Sequence, residues 1–91
     1  MSDTLWFRVS ARHTSPAYTC TDRLAKVERV DYGKGTQYSA TVAKFGCSKA
    51  YSTPDYAIQA MLQDHACTGI EIKPLLGVAE VEAARSEWWA R

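Results

Sequence analysis

Residues 38 to 62, YSATVAKFGCSKAYSTPDYAIQAML, decide the fold, because within them an extended, β-branched and aromatic segment ends at Gly46-Cys47 and an amphipathic helix begins a few residues later. Ser52 or Thr53 is placed to cap that helix and Pro54 to open it, since proline's missing N–H falls among donors that have no intrahelical partner. Asp55 favours the positive end of the helix dipole. Ala57, Ile58, Met61 and Leu62 form one apolar stripe, with Tyr56 and His65 on its margins, and Gly69 is the expected stop, which puts the helix at about 54–66.

Upstream, Ala25–Tyr32 and Gln37–Phe45 are rich in Val, Thr and Tyr and flank Gly33-Lys34-Gly35, which reads as an antiparallel hairpin with a wet tip. The run CSKAYS after Gly46 adds a candidate short edge strand. In LWFRVSARH, Leu5, Phe7, Val9 and Ala11 alternate with Trp6, Arg8, Ser10 and Arg12, the period of two of a strand with one face on a core. Thr14, Ser15 and Pro16 break it. The following AYTCTDRL fits either a short strand or a helix entered at Thr21, and extended structure is favoured. Downstream, GIEIKPL is a strand stopped by Pro74, and VAEVEAARSEWWAR is helix-compatible, with Val78, Val81, Ala84 or Arg85, and Trp88 along one side. The expected architecture is a single α+β domain over residues 1–91: an antiparallel sheet of three to five strands, one helix packed on a face, and a C-terminal helix.

With 91 residues there is room for one core and little chain to wall off a deep cleft, which favours a binding module over an enzyme. A hydrophobic share of 46% with 23% charged residues is that of a chain able to fold. The net charge of +1 supplies no global field to recruit nucleic acid or an anionic membrane. Before residue 54, however, Arg8, Arg12, Arg23, Lys26, Arg29, Lys34, Lys44 and Lys49 outnumber Asp3, Asp22, Glu28 and Asp31, so a sheet face of moderate positive potential is expected.

Cys20, Cys47 and Cys67 are odd in number and far apart, which predicts free thiols in a reducing cytosol. The N-terminus has neither the basic region nor the apolar run of a leader, and no stretch approaches a membrane span, so a cytoplasmic protein without membrane attachment is expected. His13 and His65 with the three cysteines lack the paired spacing of a zinc site, and neither metal nor cofactor is expected. A nucleophilic pair of Cys47 with His65 or His13 would also need an oxyanion hole and a cleft, so the chain is read as non-enzymatic. Gly33-Lys34-Gly35 is too short for a phosphate loop. Arg29, Tyr32, Lys34, Tyr38 and Lys44 on the hairpin are residue types that stack and pair with single-stranded nucleic acid, though an ordinary solvated face has the same composition. Trp88 and Trp89 cannot both enter one core from one helix; one should pack and the other stay at least partly exposed, which fits a binding anchor and a closing staple for a small core equally, and Trp6, outward by alternation, carries the same two readings.

The segment from Tyr38 resembles the ββα unit of HicB-like antitoxin domains, in which a Tyr-x-Ala strand leads to Gly-Cys, a threonine cap and a helix bearing Ala-Ile/Leu. The matching residues are Tyr38, Ala40, Gly46, Cys47, Thr53, Ala57, Ile58 and Leu62. That resemblance implies a protein that masks a small ribonuclease toxin. In build, the chain is also similar to small phage-encoded anti-CRISPR proteins. This second resemblance implies an inhibitor, in the cytosol of the infected bacterium, that docks on CRISPR effector subunits of a type I surveillance complex and blocks target DNA. On that reading the partner-binding residues are Arg8, Arg12, Arg29, Tyr32, Lys34 and Lys44, with Trp88 or Trp89 as an apolar anchor.

Overall fold

The computed structural model describes residues 4–15, 19–33, 35–42, 45–46 and 50–90. They form strands β1 (Thr4–His13), β2 (Cys20–Tyr32), β3 (Gly35–Val42) and β4 (Phe45–Gly46), helix α1 (Pro54–Asp64), strand β5 (Cys67–Pro74) and helix α2 (Val78–Trp89). The strands make one antiparallel sheet in the order β4-β3-β2-β1-β5, to which β4 contributes two residues. This is the expected small α+β fold. The segment ambiguous between strand and helix is extended from Cys20 onward.

Hairpin β2–β3 is in register from Ala25↔Val42 to Tyr32↔Gly35, and Gly35 sits at φ 135°, a region in which only glycine is comfortable. Beyond β4, Tyr51 returns to Tyr38 through a pair of backbone hydrogen bonds of 2.7 and 2.9 Å, which is the described part of the expected extra edge strand. Residues 47 to 49 of that expected strand lie outside the described residues.

Helix α1 starts as its sequence dictates. Thr53 is extended at φ −134°, and its Oγ1 accepts the Tyr56 N–H at 3.2 Å. Ala57, Ile58, Met61 and Leu62 are all buried against the sheet. The helix ends earlier than expected, at Asp64, and Gly69 is not its stop: Ala66 takes the left-handed conformation at φ 60°, and Gly69 lies inside β5. An alanine there bears roughly 1–2 kcal/mol of steric strain, against about 0.4–1 kcal/mol that glycine would lose through its freer unfolded chain. Ala66→Gly is therefore expected to raise the unfolding free energy by about 0.5–1 kcal/mol, read by chemical denaturation; a loss of stability would contradict the strain.

Both faces of the sheet are covered. On one, Phe7, Val9, Ala11, Ala25, Val27, Ala40 and Val42 meet the α1 stripe and Cys67. On the other, Trp6, Leu24 and Ala84 are buried, with Leu75, Val81 and Trp88 packed around them. The alternation in β1 is thus correct, and of the two readings of Trp6 the structure shows the staple: on the nominally outward side, it is buried beneath α2. Leu5, expected inward, is 41% exposed at the strand's start. Val78, expected on the packed side of α2, stands in solvent at the helix's first position. No helix among the described residues is long and apolar enough to cross a membrane.

Candidate binding surface

The α2 side of the sheet carries an irregularity that sets its chemistry. Between Val9↔Arg23 and Ala11↔Cys20, β2 holds one residue more than β1; between Ser10↔Glu71 and Arg12↔Thr68, β5 does too. The two β-bulges therefore flank adjacent positions of β1, the first opposite Ser10 and the second opposite Ala11. The β2 bulge contains Asp22 at φ 51°, held by its N–H donating to Ser10 Oγ at 3.0 Å; the β5 bulge contains Gly69 at φ 61°. Asp tolerates the left-handed region better than most residues but still at a cost. Bulges bend and twist the strands that carry them.

Beside the doubled bulge lies an open groove of about 520 Å³ lined by Ser10, Arg12, Thr19, Thr21, Thr68 and Glu71. A second depression of about 350 Å³ shares Ser10 and Glu71 with it and adds Arg8, Asp22 and Lys73. The lining is hydroxyl-rich, with cations and carboxylates interspersed, a composition suited to polar recognition. At the groove's end His13 Nδ1 accepts the Ser15 N–H at 2.8 Å, and Thr19 Oγ1 accepts the His13 N–H at 3.4 Å, tying the strand ends together.

Of the residues expected to bind a partner, Arg8 is committed internally. Its guanidinium makes a bidentate pair with Glu87 on α2, at 2.7 and 3.0 Å, and reaches the Asp22 carbonyl at 3.4 Å. The hydrogen bond to Glu87 pushes the Arg8 pKa up, so the guanidinium of this clamp between sheet and helix stays charged. Arg12 stands exposed on the groove. Arg29 is exposed on the opposite, α1 side, opposite Tyr38 in the ladder, with its guanidinium 3.4 Å from Asp31. Trp88 and Trp89 divide as expected: Trp88 packs edge-on against Trp6 at 5.7 Å, and Trp89 is 73% exposed. Lys34 and Lys44 lie outside the described residues, as does the side chain of Tyr32.

So Arg8, Arg12, Trp88 and Trp89 share one side of the sheet and Arg29 does not. Sequence reasoning missed Lys26, whose ammonium sits 5.1 Å from the Trp88 ring centre and 5.5 Å from that of Trp89, while also meeting Glu28 at 3.3 Å. A cation so placed is attracted to the faces of both indoles and favours one orientation of the exposed ring. It missed the groove hydroxyls as well, because a bulge leaves little trace in residue pattern; Gly69 was the available signal and was assigned to a helix end. On the α1 side it missed the stacking of Tyr51 on Tyr56, 5.1 Å apart and 16° from parallel.

Cys67 is buried beneath α1; burial pushes its thiol pKa up, and its Sγ lies 3.8 Å from the carbonyl oxygen of His65. It therefore stays a neutral thiol at physiological pH, unsuited to attack as thiolate. Cys47 lies outside the described residues, among which no three of His, Cys, Asp and Glu converge. No known protein family, curated protein or solved structure matches the chain.

Proposed function

We propose that the protein is a non-enzymatic inhibitor of anti-CRISPR type, which docks on an effector complex and occupies a surface that target DNA would use. The observation that carries the reading is Trp89: a large indole, 73% exposed, backed by the packed Trp88 and oriented by Lys26. Exposed tryptophan beside cations is the composition of an interface hot spot, since a rigid apolar ring loses little entropy when a partner covers it. Arg12 and the groove hydroxyls on the same side add polar contacts that fix register rather than supply most of the affinity.

Binding to a purified type I surveillance complex, followed by its effect on target-DNA capture, tests this. Trp89→Ala is expected to weaken binding to the complex by about tenfold or more and so to restore target-DNA capture, and Arg12→Glu to weaken binding further, with thermal stability of the isolated protein unchanged because both side chains are exposed. Absence of binding to any effector subunit would overturn the reading. Capture of a small ribonuclease toxin instead would point to the HicB-like alternative. Affinity for bare nucleic acid that collapses as salt rises would point to direct binding through phosphates.

A further inference from the structure

Among the described residues, strand β5 is the last in the sheet and is paired on one side only, with β1. Its register with β1, Phe7↔Pro74, Arg8↔Lys73, Val9↔Ile72 and Ser10↔Glu71, continues to Leu75, whose N–H donates to the Trp6 carbonyl at 3.0 Å. In an antiparallel ladder, hydrogen-bonded and non-bonded pairs alternate. The bonded pairs therefore fall at Leu75–Trp6, Lys73–Arg8 and Glu71–Ser10. It follows that the N–H and C=O of Ile72, and by the same alternation those of Ile70, point away from β1 and out of the sheet.

Proteins block such edges with bulges, prolines and charges. Here the bulge at Gly69 and the proline at Pro74 stop the edge at both ends and leave Ile70-Glu71-Ile72-Lys73 straight between them. That stretch is complementary to itself. Set antiparallel to a second copy about a two-fold axis at Ile72, it places Ile72 opposite Ile72, Glu71 opposite Lys73, Lys73 opposite Glu71, and Ile70 opposite Pro74. Ile72 exchanges two backbone hydrogen bonds with its mate, and each Ile70 N–H finds a Pro74 carbonyl, an arrangement that asks nothing of the proline nitrogen as donor.

In the monomer both charges face solvent and are available to such a partner. Neither Glu71 nor Lys73 forms an ion pair among the described residues, and the cross-strand neighbour of Lys73 is another cation, Arg8, already committed to Glu87. Ile70 and Ile72 are half-buried at the rim of the core beneath α1, so their copies extend that apolar layer across the edge.

We propose that the protein forms a symmetric dimer by antiparallel pairing of β5 with β5 of a second copy, joining two sheets into one with both α2 helices on the same side. The contact is short, at the small end of specific interfaces, so the dimer is weak and concentration-dependent. It sets the two polar grooves side by side, because Glu71 lines the groove and the pairing runs through it.

The test is sedimentation equilibrium of the full chain over a concentration series, with the variants Glu71→Lys, Lys73→Glu and the double exchange. Both side chains are exposed, so circular dichroism should match the parent in all three. Each single variant sets like charges opposite one another at two symmetric places and is expected to weaken dimerisation roughly tenfold. The double exchange, which restores opposite charges, should recover it. A parent that stays monomeric throughout the series would overturn the proposal. So would a dimer indifferent to the single variants, since its interface would then be elsewhere.

Discussion

Trp6→Ala is expected to lower the unfolding free energy by about 3–5 kcal/mol, the range for removing a buried aromatic side chain from a core. Trp6 is 4% exposed and is the largest member of the small cluster with Leu24 and Ala84 that joins α2 to the sheet. It is also the edge-on partner of Trp88. Against a total stability of about 5–15 kcal/mol for a protein of this kind, the loss leaves little margin. It falls first on α2, whose remaining attachments are Leu75, Val81, the Arg8–Glu87 pair and Lys26 over the indoles. Helical circular dichroism should therefore decline at temperatures where the α1 side is still folded.

Trp6→Phe is a sharper probe. The Trp6 Nε1 is buried without a hydrogen-bond partner among the described residues, and an unsatisfied buried donor costs about 1–3 kcal/mol. Phenylalanine removes that donor along with part of the ring, so its cost is expected to be less than half that of alanine. Both variants remove the donor, so the absolute cost of Trp6→Phe reports it: a loss as large as the burial of the missing ring portion alone predicts would mean that the indole N–H carries no penalty.

The second large effect is expected at Ile58. Its side chain is fully buried at the centre of the α1 stripe, between Ala57 and the Met61–Leu62 pair, against the strand face of Phe7, Val9, Val27 and Val42. Ile58→Ala should cost about 2–5 kcal/mol from lost burial and the cavity left behind, slightly offset by the better helix propensity of alanine, about 0.4 kcal/mol. Gln63→Ala, on the exposed side of the same helix, should stay within about 0.5 kcal/mol of the parent.

Because Trp6 and Ile58 lie on opposite faces of the sheet, milder changes at the two sites, Trp6→Phe and Ile58→Val, should add to within about 0.5 kcal/mol. A larger coupling would show that the sheet transmits repacking from one face to the other. Equilibrium urea unfolding of the two singles and the double measures it.

Most of the local structure was legible because it is governed by short-range physics. Thr53, Pro54 and the Ala57-Ile58-Met61-Leu62 spacing specify α1 from start to stripe, and the observed cap and buried face follow them. The β1 alternation specifies which side chains share a face, and the glycines around residue 34 specify a reversal between β2 and β3. Adjacent tryptophans on one helix must diverge, and they do.

The candidate surface was less legible. Arg12 and Trp89 were named in advance and are exposed on one side, but Arg8 was named for the wrong reason: a sequence shows an arginine and not the Glu87, 79 positions away, that holds it. Alternation assigns a side chain to a face without saying whether a distant segment covers that face, so Trp6 changed from surface to core only when α2 returned across the sheet. The same limit applies to β1 itself, whose pairing with β5 joins segments some 60 residues apart, and to the two bulges at Ser10 and Ala11, which arise from the mismatch of three strands and belong to none of them alone. Sequence determined the elements, the start of α1 and which side chains share a face, because those depend on neighbours within a few residues. Tertiary structure decided strand order, the second covered face, the fate of each charge and the groove, because each depends on which distant segments exclude water from one another.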